Sequence, residues 1–303
     1  MSWAARAATA ASGTVRGEEP PRPPGSGSPG PAGPLARPAP QRIRSVSGLV
    51  SVIGAAVVWI ALLGPVFALL AHLSWGAIGS ALSAPGALDP LAVSVEAGAV
   101  TLGVLVVVCT PLAWLMARGR LPLPRVWEAG VLCSLLLPPL VIGLLLIFMV
   151  GPYTPIGELL GRVHLSATNT FLALCVAEVY ESAPYYVLSA QAAFASVDPR
   201  LEEQAELLGD RPGRAFRRVT LPLATPGLAM ALSIAWARAM GAFGAVIIIA
   251  YHPFGLPLQI YTTLQETGLA SALPFALVLL VVALPLPLAA YVWSARARRR
   301  RRG

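Results

Sequence analysis

The chain has 303 residues, 56% of them hydrophobic and 12% charged, with a mean hydropathy of +0.71 and a formal net charge of +8. A soluble domain needs more charged surface than this, so the composition points to the membrane class. All 22 basic residues are arginine, which excludes a P-loop lysine and places any nucleotide hydrolysis on another chain.

Residues 1–41 are mostly Pro, Gly, Ser, Ala and Arg. Such a segment buries too little apolar surface to offset its ordering entropy, so a disordered cytoplasmic tail is expected. It has no apolar core of the signal-peptide kind. Apolar runs follow that are long enough to span, since a core of about 30 Å needs about 20 helical residues. They centre on 47–72, 91–117, 127–151, 169–194, 227–250 and 272–294, predicting six transmembrane helices in an all-α polytopic protein. The runs are continuous rather than alternating, which argues against a β-barrel.

Arginine placement sets the expected orientation. Arg42 and Arg44 precede the first span, and Arg118, Arg120 and Arg125 follow the second. Arg200, Arg211, Arg214, Arg217 and Arg218 follow the fourth, and residues 295–303 read ARARRRRRG. The other three loops hold only Arg162. By the positive-inside rule both termini and the loop after the fourth span lie in the cytoplasm. The clustering reads as topology and contact with anionic lipid, with no nucleic-acid partner.

Several features inside the spans bear on function. Pro138 and Pro139 lie within the third span, where proline removes a backbone donor and kinks the helix. Freed carbonyls are tolerable only against protein or water, so this helix is expected to face the bundle interior or a pathway. Glu96, Glu178, Glu181 and Arg238 are charged residues at membrane depth. Arg238 either attracts an anion in transit or pairs with Glu178 or Glu181 as a brace. Gly241 and Gly244 permit close helix approach, for packing or for a gate. Cys109, Cys133 and Cys175 are isolated packers, and His72, His164 and His252 form no metal motif.

The loop at 196–222 contains EEQAELLGDRPGRAFRRVTLP. Asp198 before Pro199 suits an N-cap, and Glu202 and Glu203 complement the helix dipole. Leu201, Ala205 and Leu208 form a narrow apolar face, and Gly209 fits a left-handed helix end. Asp210 is expected to cap a second, basic short helix with Arg214, Arg217 and Arg218. Leu221, Pro222 and Pro226 then restart the chain toward the fifth span.

The spacing here resembles the EAA loop of permease subunits of binding-protein-dependent ABC importers. Glu203 matches its Glu, Ala205 its second Ala and Gly209 its Gly. Val219, Leu221 and Pro222 match its I-x-L-P, while Gln204 replaces its first Ala. The resemblance implies a coupling helix docking on an ATP-binding subunit, with Glu203, Ala205, Leu208, Gly209, Arg214, Leu221 and Pro222 as its residues. LLLPPLVIGLLLIF from 135 and ARAMGAFGAVIIIAYHPFGLPLQIYTTLQETGL from 237 resemble the molybdate/tungstate/sulfate branch, chiefly molybdate and tungstate permeases. That branch usually carries Glu where this chain has Ala242.

The resemblance covers about residues 90–290 and implies a permease domain at 42–294 in a multi-pass protein of the bacterial cell membrane. It implies a second copy of the chain, an ATP-binding subunit and an extracytoplasmic oxyanion-binding protein as partners. The chain itself would be non-catalytic and bind no cofactor, with ATP and Mg on the partner. Pro138, Pro139, Arg238, Gly241, Phe243 and Gly244 become pathway or gate candidates. A sulfate or thiosulfate permease and an ion-coupled secondary transporter are the alternatives. An intramembrane enzyme would need a catalytic dyad in the spans, and no convincing pair is evident.

Overall fold

A computed structural model describes residues 46–73 and 75–300. The expected 1–41 tail and the last three residues lie outside the described residues. The chain divides into two compact units, Met1–Ile60 and Ala61–Gly303, with the division inside the first helix.

The described residues are helical, with no strand among them. In chain order they form α1 (Val46–His72), α2 (Trp75–Leu82), α3 (Asp89–Ala117), α4 (Pro124–Leu136) and α5 (Pro139–Val150). Then come α6 (Pro155–Arg162), α7 (Phe171–Ala195), α8 (Pro199–Leu207) and α9 (Pro212–Met240). The chain closes with α10 (Val246–Ile249), α11 (Leu256–Thr267), α12 (Leu269–Ala283) and α13 (Pro285–Arg300). Proline opens α4, α5, α6, α8, α9 and α13, where its missing N–H costs nothing. Thr154 and Thr170 cap α6 and α7 by accepting from Gly157 N and Ala173 N at 3.1 and 3.2 Å. Both α3 and α9 contain a π turn, at Leu105–Cys109 and Phe216–Thr220.

Four helical stretches are long and apolar enough to cross a membrane: Val50–His72, Asp89–Ala117, Pro212–Met240 and Leu269–Ala297. The α4–α5 pair raises the number to five if it counts as one span. This differs from the expected six at α7. That helix has 25 residues, but Glu178, Glu181, three tyrosines and Pro184 lower its hydropathy. It is instead the most enclosed helix, burying both glutamates along with Ala177, Ser182, Tyr186 and Phe194. Its burial explains its polarity, because a helix surrounded by other helices need not match lipid all round.

Other boundaries also differ from expectation. The kink foreseen at Pro138-Pro139 is a full break, with α4 and α5 at 116°. Leu137 and Pro138 are extended, at ψ 132° and 137°, because a residue before proline is driven out of the helical region. The expected 227–250 span begins at Pro212 and ends at Met240. The basic segment is therefore the first turns of α9 rather than a separate short helix. Pro222 follows the π turn closely, and the helix continues through Pro226 in its interior. Among the described residues, α13 runs on through Arg300.

The packed interior has two apolar clusters. One gathers Ala97, Ile142, Leu146, Leu174, Ala177, Ala245 and Ile249 from α3, α5, α7 and α10. The other gathers Leu105, Met116, Tyr186, Phe194, Leu228 and Ala235 from α3, α7 and α9. On α1, Trp59, Ile60, Leu62 and Phe67 are each more than 60% exposed. Apolar exposure on this scale belongs in lipid.

Candidate functional site

Two places concentrate buried charge, one beyond the C-terminal end of α7 and one near its middle. The first is the 196–222 loop. Asp198 caps α8 as expected, its carboxylate accepting from Arg200 N at 3.0 Å. Gly209 has φ +99°, the left-handed backbone that glycine adopts at little cost. The N–H groups of Gly209 and Asp210 donate to Glu206 O and Ala205 O, both at 3.0 Å, closing the helix end. Asp210 does not cap α9. Its carboxylate instead faces Arg214 and Arg218 at 3.6 and 3.4 Å, and the N-cap Arg211 makes no side-chain cap.

The buried acid of this loop is Glu202, which is 4% exposed, whereas Glu203 is exposed. Arg118 Nη2 donates to Glu202 Oε1 at 3.2 Å and Trp114 Nε1 donates to the same oxygen at 3.3 Å. Thr220 Oγ1 from the π turn of α9 donates to it as well. Arg120 stands 3.9 Å from the other oxygen and lies over the Trp114 ring at 4.8 Å. Arg118 also donates through Nη1 to Val197 O at 3.0 Å. One carboxylate thus joins the ends of α3 and α7, the helix α8 and the start of α9. Burial pushes the Glu202 carboxyl up. Hydrogen bonds from Thr220, Arg118 and Trp114, with the Arg118 charge, outweigh it and hold the group below its ordinary value.

Glu202 is the residue the sequence reading missed. Two adjacent glutamates look alike in sequence, and the partners are 84 and 88 residues away. The available signal was helical phase: Glu202 lies three residues before half-buried Ala205, on its face.

The opposite side of the loop is open. Leu207 and Leu208 are 87% and 90% exposed, and Leu201 is exposed as well. Gly213, Arg214, Arg217 and Arg218 line a neighbouring basic cleft of about 580 Å³. Of the other loop residues singled out by sequence, Leu221 is half-buried against the second apolar cluster and Pro222 is exposed.

The second place is the break between α9 and α10. A cavity of about 380 Å³ is lined by Pro138, Pro139, Leu140, Glu181, Arg238, Gly241, Phe243 and Gly244. All six residues selected from sequence as pathway or gate candidates meet here. The close approach depends on glycine: a Cβ on Gly244 would come 2.4 Å from Pro139 Cβ. Phe243 also packs on Tyr261 of α11, with ring centroids 5.1 Å apart.

Arg238 Nη2 lies 2.7 Å from Glu181 Oε2. The pair is monodentate and not aligned as a hydrogen bond, and Arg238 Nε is buried without a partner. Glu181 Oε1 accepts from Ala245 N at 3.0 Å. Ala242 is itself buried, so the carboxylate at this break comes from α7. Glu178, one turn earlier, accepts from Thr101 Oγ1 at 3.0 Å and makes no ion pair within 4 Å among the described residues.

With this geometry in place, relatives can be considered. A probable molybdenum ABC transporter permease protein of Haloferax volcanii is 39% identical over 188 residues, covering 61% of this chain and 68% of its own. The molybdenum transport system permease ModB of Mycobacterium bovis is 33% identical over 233 residues, covering 76% and 87%. Sulfate permeases CysT and a molybdate/tungstate permease WtpB are also similar. A crystal structure of a bacterial alginate ABC transporter, bound to an alginate-loaded periplasmic protein, contains a chain that superposes with a TM-score of 0.64 at 18% identity. The superposition covers 82% of this chain and 94% of that one, and supports the fold alone. Residues 109–302 match the family of binding-protein-dependent transport system inner membrane components, so the chain belongs to that family, the permease subunits of ABC importers.

Proposed function

We propose that this chain is the membrane permease of an ATP-driven importer of a tetrahedral oxyanion, molybdate or tungstate. It would work as two copies with two ATP-binding subunits and an extracytoplasmic binding protein. The observation that carries the coupling reading is the two-sidedness of α8. Its inner face is fixed to three other helices through Glu202, while Leu207 and Leu208 stand uncovered beside a basic cleft. A rigid attachment behind an exposed apolar pair suits a helix that carries a partner's motion into the bundle. The substrate reading rests on the relatives' names.

In this proposal α7 is the sixth membrane-crossing helix, and the arginine distribution puts both termini and α8 in the cytoplasm. The chain performs no covalent chemistry and binds no cofactor. ATP closure of the partner subunits moves α8, and the spans answer by opening outward. Loaded binding protein supplies the oxyanion, and hydrolysis resets the assembly.

Uptake into proteoliposomes holding the permease and its ATP-binding subunit, with the binding protein present, tests the reading. ATP-dependent uptake of molybdate or tungstate is the expected result. Preference for sulfate would make it a sulfate permease, in line with the CysT relatives. Uptake driven by an ion gradient without the ATP-binding subunit would overturn the proposal.

A further inference from the structure

The Glu181–Arg238 pair is unlike the other buried pair because it borders empty space. Arg238 keeps 26% of its side chain exposed, whereas Glu181 is wholly enclosed. The guanidinium lines a cavity of about 380 Å³ whose other walls are Glu181 and proline, leucine, phenylalanine and glycine residues. Its Nε lacks a partner, and its contact with Glu181 uses one nitrogen out of hydrogen-bond alignment. A fork of five donors at membrane depth is therefore only partly used.

We infer that Arg238 is a transit contact for the tetrahedral oxyanion, which competes with Glu181 for the guanidinium in this cavity. The inference rests on the proposed function and names the site of its cargo. A dianion with four oxygens matches the guanidinium fork better than one misaligned carboxylate contact does. In the structure as it stands, Glu181 neutralises Arg238, and Glu178 is the other acidic group of α7 at this depth. This arrangement gives an anion no net attraction. An anion favours whichever state frees Arg238, because a ligand shifts an equilibrium only through differential affinity.

Release of Arg238 also bears on the backbone. Glu181 holds Ala245 N–H at the α9–α10 break, and Gly244 abuts Pro139 at the α4–α5 break. The same carboxylate therefore ties the cargo contact to the two broken helices that wall the cavity. Tyr185, whose ring centroid is 5.6 Å from the guanidinium carbon, offers the freed Arg238 a resting face on α7.

The test uses the full assembly in proteoliposomes. A double variant, E181Q/R238Q, removes both charges of the pair together, so neither partner is left uncompensated, and keeps an acceptor for Ala245 N–H. It is expected to assemble with the ATP-binding subunit and still hydrolyse ATP in response to loaded binding protein, while molybdate uptake falls about tenfold or more. E181Q alone frees Arg238 and is expected to raise ATP hydrolysis without loaded binding protein about threefold. Uptake by the double variant within about twofold of wild type, or unchanged basal hydrolysis in E181Q, would overturn the inference and leave the pair a brace. Should the double variant fail to assemble, E181Q alone decides. Failure of wild-type assemblies to carry any oxyanion would count against the proposed function rather than against this site.

Discussion

Two buried glutamates each face an arginine, Glu181 near the middle of α7 and Glu202 in α8, and the two sites are built differently. Glu202 lies beyond the C-terminal end of α7 and receives donors from α3 and α9 on one oxygen, with Arg118 as enclosed as itself at 4% and 5% exposure. Glu181 receives one backbone N–H and one arginine, and that arginine faces a cavity. Each arginine keeps an unpartnered Nε, so the contrast lies in the surroundings and not in incomplete hydrogen bonding alone. A carboxylate saturated by several elements is a fixed joint. One with a single side-chain donor beside open space is a contact that can be exchanged. The permease has one of each, and the fixed one is at the loop where force is expected to enter.

The strongest challenge to this contrast is Glu202→Ala. Removing one partner of a buried pair leaves Arg118 uncompensated, with a cost of about 3–5 kcal/mol. The purified permease should melt markedly earlier, and recovery of ATP-binding subunit with it should fall. An unchanged melting temperature would show that the joint is not fixed.

Acid titration sharpens the same point. The Glu202 carboxyl is depressed in the folded protein. Its contribution to stability is therefore present above its unfolded value, near 4.5, and is lost as pH falls through the lower folded value. Melting followed from pH 6 to acid should lose stability in wild type. Glu202→Gln should start less stable and show a flatter acid limb.

At the cavity, Gly244→Val should cost about 1–3 kcal/mol by forcing a side chain against Pro139. Uptake should fall further than subunit assembly does, because the strain is local to the two breaks. Equal losses in both would place Gly244 in general packing. In the loop, Gly209→Ala imposes a left-handed backbone on a residue with Cβ, at about 1–2 kcal/mol. Recovery of the ATP-binding subunit with the permease should fall.

The smallest effect is expected from Asp210→Asn. Its partners Arg214 and Arg218 are 57% and 67% exposed, and pairs of this kind contribute about 0–1 kcal/mol. Neither melting nor assembly should change measurably. A large loss would reveal a cap or partner contact at Asp210.

Much of this arrangement was legible in the chain. Pro138-Pro139 announced a disrupted helix, because proline restricts both itself and its predecessor, and the spacing from Glu203 to Pro222 located the polar loop. Arg238 stood out as a charge at membrane depth. The number and ends of the spans were less legible. Helix α7 is polar because other helices surround it, and hydropathy alone reads that as weakness. The merger of the basic segment into α9 was hidden by Pro222 and Pro226, which suggest a stop that the observed ladder does not make. Of the two buried glutamate sites, the contact between Glu181 and Arg238 was among the alternatives, since both residues are conspicuous in apolar sequence. The Glu202–Arg118 contact was not, because charge in a polar loop attracts no attention until burial is known.

The π turn at Phe216–Thr220 has a consequence for how the loop is aimed. A turn of this kind holds about one residue more than an α turn, and each residue corresponds to about 100° of rotation. The start of α9 that precedes the turn, with Arg214, is therefore rotated relative to a regular extension of the span beneath it. The turn acts as an angular spacer between the membrane part of α9 and the hairpin. Deleting one residue there and restoring the α ladder would leave the span in place and swing the hairpin about the helix axis, presenting a different face to whatever docks on it.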